Sequence, residues 1–248
     1  IMPSLVGSEM CIRDSTYDLG FIELVKVTGT DSETTIDGLA EDRSVVVSAK
    51  FKQPVAEFVG TFGMPNLSKL KILLGIPEYK ENAQISVQRQ DRNGEQVPVG
   101  LHFENQAGDF KNDYRFMTSE IIAEKLKTVK FKGANWNVDF ETTIAGIQRL
   151  KFQAQANGEE TVMTAKTENG DLMLYFGDHS THAGNFVFQP AVGGTGLARA
   201  WAWPVKQFIS ILDLTGDKTI KMSDDGAAEI TVDSGVAVYN YILPAQSK

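Results

Sequence analysis

The chain has 248 residues, of which 42% are hydrophobic and 23% charged, with a formal net charge of −8 and a pI of about 5.0. This composition is typical of a globular protein with one large or two ordinary domains, and no apolar run approaches the roughly 18 residues that span a bilayer. The negative mean charge argues against a nucleic-acid partner unless cations are concentrated on one surface. A single cysteine, Cys11, excludes an intrachain disulfide framework.

The first 15 residues, IMPSLVGSEMCIRDS, show no clear hydrophobic period. They lack the charged start and the long apolar run of a signal peptide. They resemble translated adapter sequence of the kind found at the ends of metagenomic reads. We therefore expect residues 1–15 to be a non-native segment outside the fold, and an element of the first domain to be missing.

The first half of the chain reads mainly as short strands, because β-branched and aromatic residues alternate there with turn-forming residues. Strands are predicted within residues 19–51 and at residues 71–74, 83–88, 97–103 and 114–117. A helix is predicted at about residues 54–63, and residues 91–94 (Asp-Arg-Asn-Gly) are a predicted hairpin turn. Residues 118–130 are a candidate connector between two domains.

The second half is predicted to run helix, strands, helix, strands. Helices are predicted at residues 141–155 and from Pro204 onward. Strands are predicted at residues 160–166, 171–177, 185–189, 218–222, 227–232 and 235–243. The first half shows only strands, helix, strands, so its leading helix is predicted to be absent.

A short pattern occurs twice in the chain. Residues 54–62 read PVAEFVGTF and residues 204–212 read PVKQFISIL. Proline is tolerated at the first helical position, and the apolar residues recur at i, i+3, i+4 and i+7, which places them on one helix face. Because a strand-rich stretch follows each copy, the repeat predicts two copies of one α+β unit.

No combination of residues makes a convincing catalytic or metal site. Asp178, His179 and His182 are candidate ligands, but a polar loop containing glycine is the commoner explanation of that sequence. The glycine-rich residues 193–196 lack the lysine and the strand–helix context of a phosphate-binding loop. We predict a protein that is not an enzyme and has no cofactor; a metal-dependent enzyme using this loop is the alternative.

Basic and amide side chains lie on or beside the predicted helices, mostly away from the apolar stripes. They are Lys52, Arg149, Lys151, Gln153, Lys206 and Gln207, with Lys151 at the edge of the apolar face. Two interpretations stay open for them. They are ordinary solvated side chains, or they are cations and amides that meet phosphate oxygens without reading bases.

The second half resembles the C-terminal domain of the DNA polymerase sliding clamps of tailed phages. The similar stretches are TTIAGIQRL at 142–150, TVMTAKTENGDL at 161–172, and the Pro204 helix followed by GDKTIKM at 216–222. Residues 45–62 resemble the strand and helix of the first clamp domain. The resemblance implies an α+β fold with two similar clamp domains, each a sheet packed on short helices. The first domain would comprise residues 16–117 and lack its leading helix. The connector would comprise residues 118–130, and the second domain residues 131–248.

The resemblance implies a sliding clamp that encircles duplex DNA and tethers the replicative DNA polymerase as a processivity factor. Three subunits would close head-to-tail into a homotrimeric ring, loaded by an ATP-driven clamp loader, with Lys52, Arg149, Lys151, Gln153, Lys206 and Gln207 facing DNA. A groove for a partner peptide would be formed by Ile121, Ile122, Tyr241, Leu243 and Pro244. The protein would be phage-encoded and act in the host cytoplasm, with no membrane partner. The alternative is a β-rich phage tail or baseplate protein.

Overall fold

The computed structural model describes residues 12, 14–80, 82–92, 94–126, 131–177 and 182–246. The chain divides into two compact units. Unit 1 comprises Ile1–Lys130 and Ser234–Tyr239, and unit 2 comprises Phe131–Asp233 and Asn240–Lys248. Within the described ranges, no helix has the length and apolar character that crossing a membrane requires.

In the described part of unit 1, helical backbone at residues 12 and 14–16 is followed by a 3-10 turn at Tyr17–Leu19. Ile12 and Thr16 are fully buried, and Ser15 is nearly so. The described end of the segment 1–15 therefore packs into the fold, in contrast to the expectation that the whole segment lies outside it. Helical residues precede the first strand of this unit.

The first sheet of unit 1 is antiparallel, with the order β4-β1-β2-β3. Its strands are β1 (Leu24–Gly29), β2 (Thr34–Leu39), β3 (Val46–Phe51) and β4 (Gly60–Pro65). Buried and part-exposed residues alternate along β1 and β2, as they do when one face of a sheet packs on a core. Residues Ser234–Tyr239 also belong to unit 1, and β15 (Ala237–Pro244), which begins among them, follows β3 in the sheet order.

The predicted helix at residues 54–63 is wrong. Only a 3-10 turn forms there, at Ala56–Phe58, before β4 pairs in register with β1. The guanidinium of Arg89 donates to the carbonyl oxygens of Glu57 and Val59 at 2.9 and 3.3 Å. These carbonyls are thus satisfied by a side chain instead of by helical N–H groups.

The helix of this region comes later, as α1 (Leu67–Gly75), where a strand was predicted at residues 71–74. Leu67, Leu70 and Leu73 are its buried residues. Their three-residue spacing is helical, whereas the four residues 71–74 taken alone suit either structure. The predicted strand is therefore wrong, and the cause is a window too short to show the helical period.

The second sheet of unit 1 has three antiparallel strands with β6 in the middle. They are β5 (Gln84–Arg92), β6 (Glu95–Glu104) and β7 (Lys111–Arg115), and they confirm the strands predicted at 83–88 and 97–103. Helix α2 (Ser119–Lys125) lies in the predicted connector. Ile122 of α2 packs directly on β4, because a Cβ on Gly63 would lie 2.8 Å from the Ile122 Cδ1.

Unit 2 contains two antiparallel sheets, with the orders β11-β10-β9-β12 and β15-β14-β13-β8. The strands are β8 (Val138–Glu141), β9 (Val162–Glu168), β10 (Asp171–Phe176), β11 (Gly184–Gln189), β12 (Trp201–Pro204), β13 (Asp217–Ser223), β14 (Ala227–Asp233) and β15. Helices α3 (Ile144–Ala156) and α4 (Val205–Leu212) confirm the two helices predicted in this half.

The internal repeat exists in the structure, but in a register that differs from the predicted one. The series β1-β2-β3-β4-α1 recurs as β9-β10-β11-β12-α4, and in both copies the first strand lies between the second and the fourth. Pro65 and Pro204 end corresponding strands, so Pro204 corresponds to Pro65 and not to Pro54. The corresponding buried helix residues are Leu67 and Val205, Leu70 and Phe208, and Leu73 and Ile211.

Candidate functional site

Three helices carry an unusual set of charges. Helices α1, α3 and α4 contain five cations, Lys69, Lys71, Arg149, Lys151 and Lys206, and no Asp or Glu. The chain as a whole has 32 Asp and Glu against 24 Lys and Arg. A local cationic surface on an acidic protein attracts polyanions to that surface alone. Each unit therefore has its own candidate functional surface, α1 in unit 1 and α3 with α4 in unit 2.

Helix α3 turns one side to β11 and the other to solvent. Thr143 caps its start by accepting a hydrogen bond from the Gly146 N–H at 3.0 Å, and Gly146 and Leu150 are its buried residues. Ile144 is apolar but lies on the solvent side, with an exposed fraction of 82%. The reason is that Gly146 lies against Phe188 of β11, which turns Ile144 toward solvent.

The solvent side of α3 presents Arg149. Its guanidinium lies 5.2 Å from the ring centre of Phe186, an arrangement that orients the side chain while leaving its N–H groups available. Phe152 is also on this side, with an exposed fraction of 65%.

Helix α4 is strongly amphipathic. Val205, Phe208, Ile211 and Leu212 are buried, while Lys206 is exposed and Gln207 is half-exposed.

Lysine–aspartate ion pairs connect helical segments in both units. In unit 1, Lys71 Nζ lies 2.7 Å from Asp18 Oδ1 and 5.3 Å from the Tyr17 ring centre. In unit 2, Lys151 of α3 pairs with Asp213 directly after α4. Such surface pairs contribute about 0–1 kcal/mol each. Lys69, Arg149 and Lys206 have no acidic partner among the residues that the structure describes.

The residues predicted to face DNA differ in their exposure and in their contacts. Arg149, Lys206 and Gln207 lie on the solvent sides of their helices, and Lys151 is partly neutralised by Asp213. Lys52 is exposed but follows β3, since no helix starts at residue 54. Gln153 is half-buried on the packed side of α3, which corrects its predicted orientation.

Two contacts hold Gln153 on the packed side of α3. Its amide oxygen accepts a hydrogen bond from Asn157 Nδ2 at 3.2 Å, and a Cβ on Gly184 of β11 would lie 2.5 Å from that oxygen.

Sequence reasoning missed Lys69 as a cation on a helix, because it predicted a strand at residues 71–74. The spacing of Leu67, Leu70 and Leu73 after Pro65 is the signal that could have found it.

The predicted partner-peptide groove is largely inaccessible in this structure. Ile122, Tyr241 and Leu243 are fully buried, so their side chains cannot contact a peptide. Ile122 packs on β4, and the Leu243 carbonyl accepts from the Trp203 indole N–H at 3.3 Å. Ile121 and Pro244 are the exposed members of the set.

A pocket of about 380 Å³ lies beside the start of α2, within unit 1. Its walls mix apolar and charged side chains, among them Arg92, Val97, Pro98, Phe116 and Glu120. A hydrogen bond from the Thr118 hydroxyl holds the pKa of Glu120 below its ordinary value, with smaller contributions from backbone, Ser119 and Arg92.

No cluster of three or more His, Cys, Asp or Glu suited to a metal ion occurs in the described part of the chain. Asp178 and His179 of the alternative metal site lie outside the described residues, and His182 lies within them.

Strands β7 and β11 are among the edge strands of the described sheets, and their counterparts in the internal repeat are neighbours of each other. Strand β3 is followed in its sheet by β15, and the Lys52 N–H next to β3 donates to the Val236 carbonyl at 3.0 Å. Strand β11 is the counterpart of β3 in the repeat. Strand β7 is the counterpart of β15, because β5, β6 and β7 follow α1 in the same way as β13, β14 and β15 follow α4. Both β11 and β7 have a neighbouring strand on one side only among the described residues. An open strand edge is a template for another chain.

The fold is that of the DNA clamps of the PCNA type. The chain is similar to the PCNA2–PCNA3 complex from Sulfolobus tokodaii, with a TM-score of 0.64, 11% identity, and coverage of 99% of this chain and 96% of that chain. It is similar to A. fulgidus PCNA with the bound C-terminal region of FEN-1, with a TM-score of 0.68, 9% identity and coverage of 97% and 96%. It is also similar to PCNA from Entamoeba histolytica, with a TM-score of 0.66, 10% identity and coverage of 98% and 96%. No protein-family model and no curated protein sequence matches the chain.

Proposed function

We propose that the protein is a sliding clamp that encircles duplex DNA and tethers a replicative DNA polymerase as a processivity factor, without catalysing a reaction itself. The observation that carries the proposal is the set of acid-free, cationic helices on a clamp fold in a chain of net charge −8. Lysine and arginine contact phosphates irrespective of base sequence, and an acidic remainder repels DNA. A weak, non-specific contact of this kind permits sliding.

The ring is proposed to close head-to-tail, with β7 of one chain pairing with β11 of the next. The support is the internal repeat, because the counterparts of these strands, β15 and β3, are neighbours in one sheet. If β7 of one chain pairs with β11 of the next, two different surfaces meet, and the interface is heterologous. Heterologous interfaces generate a ring when the rotation from each chain to the next returns to the first chain. We propose three chains per ring, as the resemblance to phage clamps implies.

The proposal includes the partners that a clamp needs. These are duplex DNA, a DNA polymerase, a clamp loader ATPase and further copies of this chain. A solved neighbour carries the C-terminal region of FEN-1, and another is a complex of two PCNA chains. We further propose, from the resemblance to tailed-phage clamps, that the protein is phage-encoded and acts in the host cytoplasm.

Topological retention is the deciding experiment. The chain is loaded by its loader on a nicked circular duplex, and half of each sample is then linearised by a restriction enzyme. A clamp stays on the circle and leaves the linear form by sliding off its ends. Equal retention on both forms would contradict the ring mechanism. Incorporation into virions without retention on circles would support the tail or baseplate alternative.

Reversing one helix cation tests which surface meets DNA. Arg149→Glu is expected to shorten the residence time on circular DNA. It should also make the slope of log affinity against log salt concentration shallower, by about one for each phosphate that the variant no longer binds. The matched control is Lys125→Glu, which changes charge equally on the exposed side of α2, a helix that already contains acidic residues. If both variants shorten the residence time equally, net charge and not the helix surface determines binding.

A further inference from the structure

One histidine lies between two carboxylates on the solvent face of the three-stranded sheet of unit 1. His102 of β6 is the register partner of Asp113 of β7. Its Nδ1 lies 2.8 Å from Asp113 Oδ1, and its Nε2 lies 3.3 Å from Glu104 Oε2. The neighbours Leu101 and Phe103 are fully buried on the opposite face of β6.

The other polar groups around His102 form a ladder across the three strands. Lys111 of β7 pairs with Glu104 at 3.1 Å. Gln88 of β5 donates to Asp113 at 3.1 Å and accepts from Arg115 at 3.2 Å. These contacts join β5, β6 and β7, and His102 is the member that changes charge near neutral pH.

The protonation state of His102 decides how many of these hydrogen bonds exist. A neutral imidazole has one N–H and can donate to one carboxylate, whereas the imidazolium donates to both. The hydrogen bond to Asp113 raises the pKa of His102 above its ordinary 6.5, burial partly opposes this, and Glu104 adds to the increase. The pKa of Asp113 and that of Glu104 are lowered, Asp113 chiefly by His102 and Glu104 chiefly by Lys111.

We propose that His102, Asp113 and Glu104 form a proton-sensitive clasp that holds edge strand β7 on its sheet and thereby sets the strength of self-association through β7. The second half of this statement rests on the proposed function, in which β7 pairs with another copy. An edge strand that is already ordered loses less conformational entropy on pairing than one that frays. Protonation of His102 thus favours the associated state.

The direction of the pH dependence follows from the raised pKa. Below about pH 6.5, His102 is protonated in both the folded and the unfolded chain, and the clasp is complete. The clasp is lost as the pH rises through the pKa of His102 in the folded chain, which is higher than in the unfolded chain. Since these side chains are partly solvated, we expect the association constant to fall about two- to fivefold per interface. A closed ring of three interfaces multiplies this effect.

Sedimentation velocity on the full chain tests the proposal, from about pH 6 to about pH 8.5 at constant ionic strength. Wild type is expected to dissociate increasingly as pH rises, and His102→Gln is expected to associate with little dependence on pH in this range. Ser86→Ala is the matched control, because Ser86 is the register partner of His102 on β5 and carries no titratable side chain, so this variant should keep the wild-type profile. A wild-type profile that persists in His102→Gln would overturn the clasp.

A second readout separates the clasp from the ring. In dilute, isotopically labelled protein, NMR follows the His102 ring protons and the β7 amides during the same titration. The clasp predicts a His102 midpoint above its ordinary value, with β7 amide shifts that follow the same curve. If the chain is monomeric at every pH but these shifts appear, the clasp stands and the proposed ring fails. If His102 titrates without moving the β7 amides, the clasp itself is wrong.

Discussion

Replacing Arg115 by proline is expected to abolish or strongly weaken formation of the proposed ring while leaving the subunit folded. The N–H of Phe116 donates to Val99 of β6, and the N–H of Met117 donates to Gly63 on the other side. Because successive residues of a strand point their N–H groups to opposite sides, the Arg115 N–H points away from β6, where β7 itself has no neighbouring strand among the described residues. Proline at such a position removes a donor without breaking the ladder to β6.

The size of this effect follows from the loss of the Arg115 N–H as a donor, because a carbonyl group of the neighbouring chain would then have no hydrogen-bond partner. An unsatisfied buried group costs about 1–3 kcal/mol, so each interface weakens by roughly five- to hundredfold. Arg115→Gln is the control, because it loses the same guanidinium but keeps the N–H. Light scattering should then show monomers for the proline variant and rings for the glutamine variant. Rings formed by both variants would show that β7 is not the assembling edge.

Ile72→Pro is expected to destabilise unit 1 by about 3 kcal/mol or more, because it breaks the middle of α1. The Ile72 side chain is 67% exposed, so Ile72→Ala removes little buried surface and should cost less than about 1 kcal/mol. Chemical denaturation of both variants measures the difference. If the two variants were equally stable, residues 67–75 would not be a helix, and the predicted strand at 71–74 would regain support.

The helices and strands of unit 2 could be read from the sequence more accurately than those of unit 1, for identifiable reasons. Helix α4 buries an apolar stripe at helical spacing directly after Pro204, so local pattern and tertiary packing agree. At residues 54–62 the same pattern is overridden, because Phe62 pairs with Val27 of β1 and Arg89 occupies the carbonyls of the preceding turn. Neither long-range contact is visible in a local window.

The candidate site was predictable only in part. Arg149 and Lys206 could be found because their helices were placed correctly, whereas the orientation of Gln153 depends on where β11 meets α3. The His102 cluster could not be found, since its members come from β6 and β7 and meet only through strand register. Buried residues such as Tyr241 resembled groove residues because apolar character does not distinguish a core from a binding surface.

The absence of acidic residues from α1, α3 and α4 has a consequence for how these helices tolerate mutation. Glutamate is about as good a helix former as glutamine or lysine, and acidic residues are favoured in the first turn of a helix. Nothing in helix formation therefore excludes them from the exposed positions of these segments. We expect a saturation mutagenesis screen for replication to accept Gln, Ser, Ala and Lys at Lys69, Gln148 and Lys206 and to reject Asp and Glu. The same screen for folding alone should show no such charge preference.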